Sequence, residues 1–269
     1  MDPRQKADWP QIGDIVANHD GGRPVGTRAL AGLRVSLELG TQALVEFGDR
    51  QIAWTEDDRT VNLEYEAFSL GGQLFLTDAM PPPPDRRSLT MVWDLATMRI
   101  LLVESTFPTP DLAQTAVLQR LARTGSQSAV RMRYRQGGIG LSRPSSFPRS
   151  SALVGRHLRY RYSTTHEYDH IYHNEQYYSW FCREGPDRGL GDFEECDVFE
   201  LRESVYLVSW REKLLPCVGI MVEDHQIMRS VGKICGADAY TGEIANTRVG
   251  ADIRLIFEDG SRRVATERS

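Results

Sequence analysis

The sequence lacks the features that would place it at a membrane or on a nucleic acid. It contains no apolar run long enough to cross a bilayer, and its N-terminus, MDPRQKADWP, does not form a signal peptide. A net charge of −5 gives no general attraction to nucleic acid or to an anionic membrane surface. We therefore expect a cytoplasmic protein with no nucleic-acid partner and no membrane partner.

Cysteine is scarce, and the four cysteines all lie in the second half of the chain without forming a CxxC pair. Their spacing matches no common zinc pattern, and without a secretory signal we expect free thiols rather than a disulfide framework. Phosphate loops and nucleophile elbows are missing as well, since GGIGLS at 137–142 has no Lys-Ser or Lys-Thr ending. These absences argue against a nucleotide-binding enzyme and against a serine or cysteine nucleophile.

What the sequence does contain is an internal repeat. Residues 67–79 align with residues 198–210 without a gap, and Met98 and Met228 occupy matching places further along. Two copies are too few for a solenoid, so the repeat predicts two structural units of similar architecture. The copies differ in chemistry, because the second carries a polar aromatic cluster that the first lacks.

Both copies consist of short runs in which apolar and charged residues alternate, as in β-strands, between Gly- or Asp-containing turns. DLAQTAVLQRLARTG at 111–125 predicts one short helix between the two sets, and GGIGLSRPSSFPRSS at 137–151 predicts a linker. We therefore expect an all-β protein made of two tandem lipocalin-like (calycin-type) antiparallel barrels. The expected boundaries are an N-terminal tail at 1–28, a first domain at 29–107, a helix and linker at 108–152, a second domain at 153–258 and a C-terminal tail at 259–269.

The polar aromatic cluster lies at about residues 158–184. Because side chains alternate faces along a strand, one parity would line the barrel interior, namely Tyr160, Tyr162, His166, Tyr168, His170, Tyr172 and Asn174. The other parity is charged and would face water, namely Arg159, Arg161, Glu167, Asp169 and His173. Buried hydroxyls need partners, so we expect a cavity for a small aromatic or carboxylate ligand. The alternative is an aromatic core whose tyrosine tips reach the barrel mouth.

One carboxylate stands at the end of a strongly apolar run. Glu212 follows SVYLVSWR directly, whereas the matching position of the first repeat is Pro81. A carboxyl near a barrel mouth beside aromatic groups can have a raised pKa and act as a general acid. The alternative is a solvated glutamate paired with Arg211 or Lys213.

The sequence resembles the MoaF family over most of residues 30–257. In the second half the resemblance is carried by YHNEQYYSWFCREGPDRGLGDFEECDVFEL, SVYLVSWREK and MRSVGKICG, and in the first half by GLRVSLELG, QIAW, EYEAF and LFLTDAM. The family's two domains look lipocalin-like, which agrees with the strand pattern.

The second half is also similar to the phenolic acid decarboxylases, lipocalin-like lyases that need no cofactor. The motif positions that match are Tyr160, Tyr162, Tyr168, Asn174 and Glu212, the last of which follows Ser209-Trp210. The family's catalytic arginine has no assigned match, although Arg183 and Arg188 lie in its neighbourhood. Its Asn-Gly-Trp hairpin is replaced by Ser163-Thr164-Thr165-His166, so the resemblance implies a proton-transfer site but leaves the substrate open.

This resemblance implies a lyase or isomerase that needs neither metal nor organic cofactor. Tyr160 and Tyr162 would hydrogen-bond an anionic oxygen of a small aromatic or unsaturated acid, and Glu212 would transfer a proton at carbon. The ligand-binding residues expected around them are Tyr168, His170, Tyr172, Asn174, Tyr178, Trp180, Arg188 and Trp210.

Other functions stay open. One is a non-catalytic lipocalin-like binding protein, with a link to molybdenum cofactor metabolism suggested by the family name. Another is a metal site at His166, His170 and His173, which would require a β-bulge because His173 has the opposite parity. The first domain lacks site-like residues, so we expect it to act as structural support or as a homodimer surface.

Overall fold

The computed structural model describes residues 24–140 and 146–259. Within these ranges the chain forms two closed antiparallel barrels, each of eight strands. The prediction of an all-β protein with two tandem lipocalin-like barrels is therefore confirmed. The expected tails lie almost entirely outside the described residues.

The first barrel is a meander in which each strand pairs with the next. Its strands are β1 Arg34–Glu38, β2 Gln42–Phe47, β3 Gln51–Glu56, β4 Arg59–Ser69, β5 Leu74–Met80, β6 Arg87–Asp94, β7 Arg99–Thr106 and β8 Arg131–Ile139. Pairing of Leu37 with Ile139 closes the barrel between β1 and β8. Its interior is mostly apolar, with Val45, Ile52 and Trp93 completely buried.

The strand β8 corrects the predicted boundaries, because it lies inside the segment 108–152 that the sequence assigned to helix and linker. Gly137 and Gly138 suggested a flexible connection, yet both belong to this strand. A Cβ on Gly137 would lie 1.6 Å from the carbonyl oxygen of Glu38, so the glycine permits close contact between β1 and β8. The compact unit of the first barrel accordingly consists of 24–109 together with 130–148.

The helix predicted at 111–125 is in fact two short helices, α1 (Pro110–Ala113) and α2 (Val117–Thr124). Ala116 adopts an extended conformation, with φ −61° and ψ 144°, and separates them. Gly125 ends α2 in the left-handed region, as predicted. Both helices belong to the compact unit of the second barrel. None of the helices in the described residues is long and apolar enough to span a membrane.

The second barrel repeats the meander. Its strands are β9 Arg156–Arg161, β10 Glu167–Tyr172, β11 Tyr177–Glu184, β12 Gly191–Arg202, β13 Val205–Arg211, β14 Cys217–Asp224, β15 Arg229–Ala237 and β16 Ile244–Glu258. Pairing of β16 with β9 closes it. The internal repeat is visible in the backbone, since Met98 and Met228 both have φ 54° in the turns before β7 and β15. A left-handed conformation is uncommon for methionine, so its recurrence marks equivalent turns.

Candidate functional site

The side chains of β9 and β10 alternate as the sequence predicts. The inward positions are all buried, namely Tyr160, Tyr162, His166, Tyr168, His170 and Tyr172. The outward positions are mostly charged, but Asp169 does not face open water. It is 6 % exposed and lies under Arg159 at 2.7 Å, His157 at 3.2 Å and Arg183 at 3.3 Å. Burial raises the pKa of Asp169, but the hydrogen bonds and positive charges of Arg159 and His157 together outweigh it, and the pKa falls below its usual value.

A cavity occupies one end of the second barrel. Its interior leaves about 70 Å³ of space for the centres of water-sized molecules, which is enough for several waters or a small ligand. Its walls are aromatic and are formed by Tyr162, Tyr168, His170, Tyr178, Trp180 and Trp210. Three carboxylates also line it, namely Asp187, Asp192 and Glu212. Seven of the residues proposed from sequence thus meet around one cavity.

The mouth of the cavity contains a carboxyl pair. Cys196 on β12 pairs with Trp210 on β13. Glu194 lies two residues before Cys196 and Glu212 two residues after Trp210, so the two glutamates are neighbours on the inner face. The carboxyl groups of Glu194 and Glu212 lie close enough to affect each other's pKa, and a hydrogen bond between them would require that one of them carries a proton. Trp210 Nε1 donates a hydrogen bond to Glu212 Oε1 at 3.0 Å and fixes its position.

Electrostatics assign the shared proton to Glu194. Its side chain is fully buried, and neither of its oxygens accepts a hydrogen bond from a donor group of the described residues. Burial raises the pKa of Glu194, and the charge of Glu212 raises it further. Burial also raises the pKa of Glu212, although hydrogen bonds from Glu194 and Trp210 oppose this rise. Glu194 therefore holds a proton more firmly than Glu212, and it is the Glu212 carboxyl that faces the cavity.

A second carboxylate, Asp187, reaches the cavity from the loop after β11. It is 4 % exposed and accepts a hydrogen bond from the Tyr168 hydroxyl at 3.0 Å. Burial raises the pKa of Tyr168 and the charge of Asp187 raises it further, so the hydroxyl keeps its proton. Gly185, with φ 138°, turns the chain so that Asp187 points inward.

Two ring nitrogens on the cavity wall lack partners. His170 Nδ1 and Trp180 Nε1 are buried and form no hydrogen bond with the described residues. Burial lowers the pKa of His170 to about 3, so its imidazole is neutral at physiological pH. Unsatisfied buried groups on a cavity wall indicate a ligand or water that completes them.

Two tyrosines proposed for the site lie elsewhere. Tyr160 stacks behind His170 at 4.3 Å between ring centroids, and its hydroxyl donates to Glu223 Oε2 at 3.0 Å. The Tyr172 hydroxyl lies 3.2 Å from that of Tyr160. Glu223 is also 3.0 Å from His225 Nε2. The structure thus places the Tyr160 hydroxyl against a buried carboxylate and not in the lining of the cavity.

Asn174 and Arg188, which the sequence analysis assigned to ligand binding, do not line the cavity. Strand β10 ends at Tyr172, so alternation stops before Asn174, which is exposed and accepts hydrogen bonds from the backbone N–H groups of residues 176 and 177. Arg188 is exposed, with its guanidinium 3.8 Å from Glu184. Arg183 lies on the outer face beside Asp169. Neither arginine lines the cavity, whereas Asp187, the residue before Arg188, does.

The histidines do not form the metal site considered above. His166 is inside the barrel with its Nδ1 3.0 Å from Ser163 Oγ, whereas His173 is exposed and bonded to Ser179. Among residues 24–140 and 146–259, no three His, Cys, Asp or Glu side chains are arranged to hold a metal ion.

Sequence reasoning missed Glu194, Asp187 and Asp192. Glu194 stands in the acidic run EECD, which is typical of a solvated surface. Its parity was nevertheless informative, because Glu194 shares a face with the buried Cys196 and Val198. Asp187 and Asp192 flank a Gly-rich turn whose course the sequence does not reveal.

Comparison with known proteins places both halves in one family. The model of the MoaF N-terminal domain matches residues 7–109, and that of the MoaF C-terminal domain matches residues 147–258. Protein MoaF of Klebsiella aerogenes is 32 % identical over 209 residues, which cover 75 % of this chain and 79 % of that protein. A crystal structure titled as a putative beta-lactamase from Burkholderia vietnamiensis aligns with 42 % of this chain and all of its own, at 14 % identity and a TM-score of 0.34. That last similarity is too low to inform fold or activity. On the two domain matches and the Klebsiella relative, the chain belongs to the MoaF family.

Proposed function

We propose that the second barrel is a cofactor-independent lyase or isomerase that moves a proton to or from a carbon atom of a small aromatic or unsaturated substrate. The observation that carries this proposal is the carboxyl pair of Glu194 and Glu212 at an aromatic cavity. A general acid or base works best when its pKa lies near the working pH, and burial of a carboxyl pair brings this about.

The two glutamates have different roles. Glu212 lines the cavity and exchanges a proton with the substrate carbon, whereas the fully buried Glu194 lies behind it and stores the proton. In an isomerisation Glu212 takes a proton from one carbon and returns it to another, so the pair ends unchanged. In a lyase reaction the bonding electrons left on carbon take the proton from the pair, and water restores it.

Aromatic side chains would position the substrate. Trp180 and Tyr168 form one wall, with ring centroids 6.2 Å apart, and Tyr178 and Trp210 form another at 5.9 Å. A planar substrate between them would present its reactive carbon to Glu212, and His170 Nδ1 or Trp180 Nε1 would bond its polar atoms. Tyr162 remains the one tyrosine of the LRYRY motif that lines this cavity.

A binding protein without catalysis is the second candidate, favoured by the unpartnered nitrogens of His170 and Trp180. These atoms need a hydrogen-bond partner, which a bound ligand or water would supply whether or not the ligand is converted. A link to molybdenum cofactor does not fit the residues of this cavity. A phosphorylated pterin would meet Asp187, Asp192 and Glu212 with no Arg or Lys in the described lining.

The test compares purified wild type with Glu212→Gln and with Glu64→Gln, an exposed carboxylate of the first barrel that serves as the matched control. A thermal-shift screen of small aromatic and unsaturated compounds, hydroxycinnamates included, identifies ligands, and absorbance follows their conversion. We expect wild type and Glu64→Gln to convert a ligand that Glu212→Gln binds but leaves unchanged. Binding by all three proteins without conversion would replace the enzyme proposal with a carrier.

A further inference from the structure

Two ring nitrogens without partners belong to neighbouring residues of the second barrel. His170 on β10 and Trp180 on β11 are direct partners in the strand ladder, and both residues line the cavity. His170 Nδ1 and Trp180 Nε1 are shielded from bulk water and form no hydrogen bond with the residues that the structure describes. Because a buried polar group without a partner costs free energy, a ligand that hydrogen-bonds both nitrogens would be stabilised in the cavity.

The two nitrogens require a hydrogen-bond acceptor. An indole N–H only donates, so Trp180 needs an acceptor atom. Burial lowers the pKa of His170 to about 3, so its imidazole is neutral, and in the tautomer protonated at Nδ1 it donates as well. A carbonyl oxygen has two lone pairs and accepts both hydrogen bonds at once.

The surroundings of the two nitrogens favour a neutral acceptor over an anion. His170 packs against the rings of Tyr160, Tyr178 and Trp210, at centroid distances of 4.3, 5.0 and 5.7 Å. No arginine or lysine belongs to the described lining of the cavity. A carboxylate would therefore lose its hydration without gaining a counter-charge, whereas an uncharged carbonyl group loses much less.

The donors lie close to the proposed base. The His170 ring is 5.7 Å from that of Trp210, whose Nε1 donates to Glu212 Oε1 at 3.0 Å. A single indole thus separates the imidazole from the Glu212 carboxyl, and all of these residues line the cavity. This spacing suits a small molecule that contacts the donors through its oxygen and Glu212 through a nearby carbon.

We propose that the cavity selects an uncharged aromatic or unsaturated carbonyl compound, whose oxygen accepts hydrogen bonds from Trp180 and His170 while Glu212 moves a proton at the carbon beside the carbonyl group. This inference names the substrate class for the reaction proposed above and rests on that proposal. It differs from the carboxylic acid that the decarboxylase resemblance implied.

The same donors assist the proton transfer. Burial raises the pKa of Glu212 to about 7, so a substantial fraction of it is carboxylate at neutral pH. The carboxylate removes the proton, the C–H electron pair forms a C=C bond, and the C=O π electrons move to oxygen. The resulting enolate oxygen accepts stronger hydrogen bonds from Trp180 and His170 than the carbonyl oxygen does. The proton then returns from Glu212 to the same carbon or to a conjugated one, so no further reagent is needed.

The first experiment compares three compounds of nearly the same shape by NMR titration of the purified protein at pH 7. They are acetophenone, which has a neutral carbonyl oxygen, ethylbenzene, which has no acceptor, and benzoate, which is an anion. We expect acetophenone to bind at least ~10-fold tighter than either of the others, because it alone satisfies both donors without burying a charge. Failure of acetophenone to bind, or binding no tighter than that of ethylbenzene or benzoate, would overturn the inference.

Variants of the two donors locate the binding. Trp180→Phe removes the indole N–H and keeps an aromatic ring, and His170→Leu removes the imidazole. We expect each to weaken acetophenone binding by about 5-fold or more while leaving ethylbenzene binding nearly unchanged. His170→Asn restores a donor near the position of Nδ1 and should recover part of the affinity.

The matched control is Trp54→Phe, which removes an indole N–H that donates to Glu56 in the first barrel. It should bind all three compounds as wild type does. Circular dichroism checks that each variant is folded at the temperature of the titration. Trp180 is only partly buried, so Trp180→Phe carries the test even where a His170 variant fails to fold. Unchanged acetophenone affinity in folded Trp180→Phe would overturn the inference.

Hydrogen exchange separates failure of the inference from failure of the proposed function. In D₂O, wild type should replace the methyl hydrogens of acetophenone with deuterium, which NMR detects, and Glu212→Gln should not accelerate this exchange. Selective acetophenone binding through Trp180 without exchange would support the ligand class and contradict the proton transfer. Conversion of a carboxylic acid by wild type but not by Glu212→Gln, without acetophenone binding, would support the proton transfer and overturn the ligand class.

Discussion

Gly219 and Trp210 are direct partners in the β13–β14 ladder, and the indole occupies the space where a Cβ of residue 219 would lie. Such a Cβ would come within 2.0 Å of Trp210 Cζ2. Trp210 in turn holds Glu212 through its Nε1 hydrogen bond. A glycine on the neighbouring strand thus determines where the proposed catalytic carboxylate stands.

Gly219→Ala should therefore displace Trp210 and with it Glu212. We expect a loss of about 1–3 kcal/mol in the free energy of unfolding, the usual cost of overpacking, and weaker ligand binding. Gly26→Ala is the matched control, because its Cβ would meet only Ala67 O at 3.7 Å. Urea unfolding and ligand titration measure both effects. An unchanged ligand affinity in folded Gly219→Ala would show that Trp210 does not position the site.

Asn174→Ala tests the position that the structure assigns to this residue. Its Oδ1 accepts from two backbone N–H groups in the β10–β11 turn, at 2.8 and 2.9 Å. We expect a stability loss of about 1 kcal/mol, typical of a lost side-chain cap, with ligand affinity unchanged. Asn174→Asp keeps the acceptor and should restore most of the stability. A specific loss of ligand affinity in Asn174→Ala would instead support the role that the resemblance implied.

The fold could be predicted because it follows from local patterns. Alternation of apolar and polar residues identifies strands, and the repeat shows that two units share one plan. The strand β8 was missed because Gly137 and Gly138 resemble a linker, although the alternating RMRYRQ stretch precedes them. Only the closure of the barrel, which brings β1 against β8, explains why glycine is required there.

The site was predicted where it depends on strand parity and missed where it depends on loops. Parity correctly placed Tyr162, Tyr168 and His170 on the inner face, and the position of Glu212 after a buried strand indicated the mouth. Parity could not show that the Tyr160 hydroxyl reaches Glu223 on a strand distant in sequence. Nor could it show that the loop after β11 turns Asp187 inward rather than Arg188.

Tyr160→Phe distinguishes a structural tyrosine from one that contacts substrate. It removes the donor to Glu223, a carboxylate that is 1 % exposed, and should cost about 1–3 kcal/mol of stability. Because the ring remains stacked behind His170, ligand affinity should change less than 2-fold, well below 1 kcal/mol. Tyr168→Phe removes the donor to Asp187 on the cavity wall and should lower both stability and affinity. Similar losses of affinity in the two variants would contradict this distinction.

The carboxyl pair should make stability depend on pH in a direction opposite to that of ordinary ion pairs. Burial raises the pKa of Glu194 and of Glu212 above the value of an unfolded glutamate. The folded protein therefore keeps a proton that the unfolded chain releases, so this contribution is fully present below about pH 4.5 and is lost as pH rises. The free energy of unfolding falls by about 1.4 kcal/mol for each pH unit over which the folded pair holds one proton more than the unfolded chain.

Glu194→Gln tests this dependence, because glutamine donates to Glu212 without an ionisable proton. We expect the variant to be more stable than wild type at pH 8, and this advantage to shrink or reverse at pH 5. Urea unfolding of both proteins at several pH values between 5 and 8 gives the difference between their free energies of unfolding. The titration of all other groups contributes equally to both proteins and cancels from this difference. Glu64→Gln is exposed in the first barrel and should follow wild type throughout. Parallel pH profiles for Glu194→Gln and wild type would show that the glutamates do not share a proton.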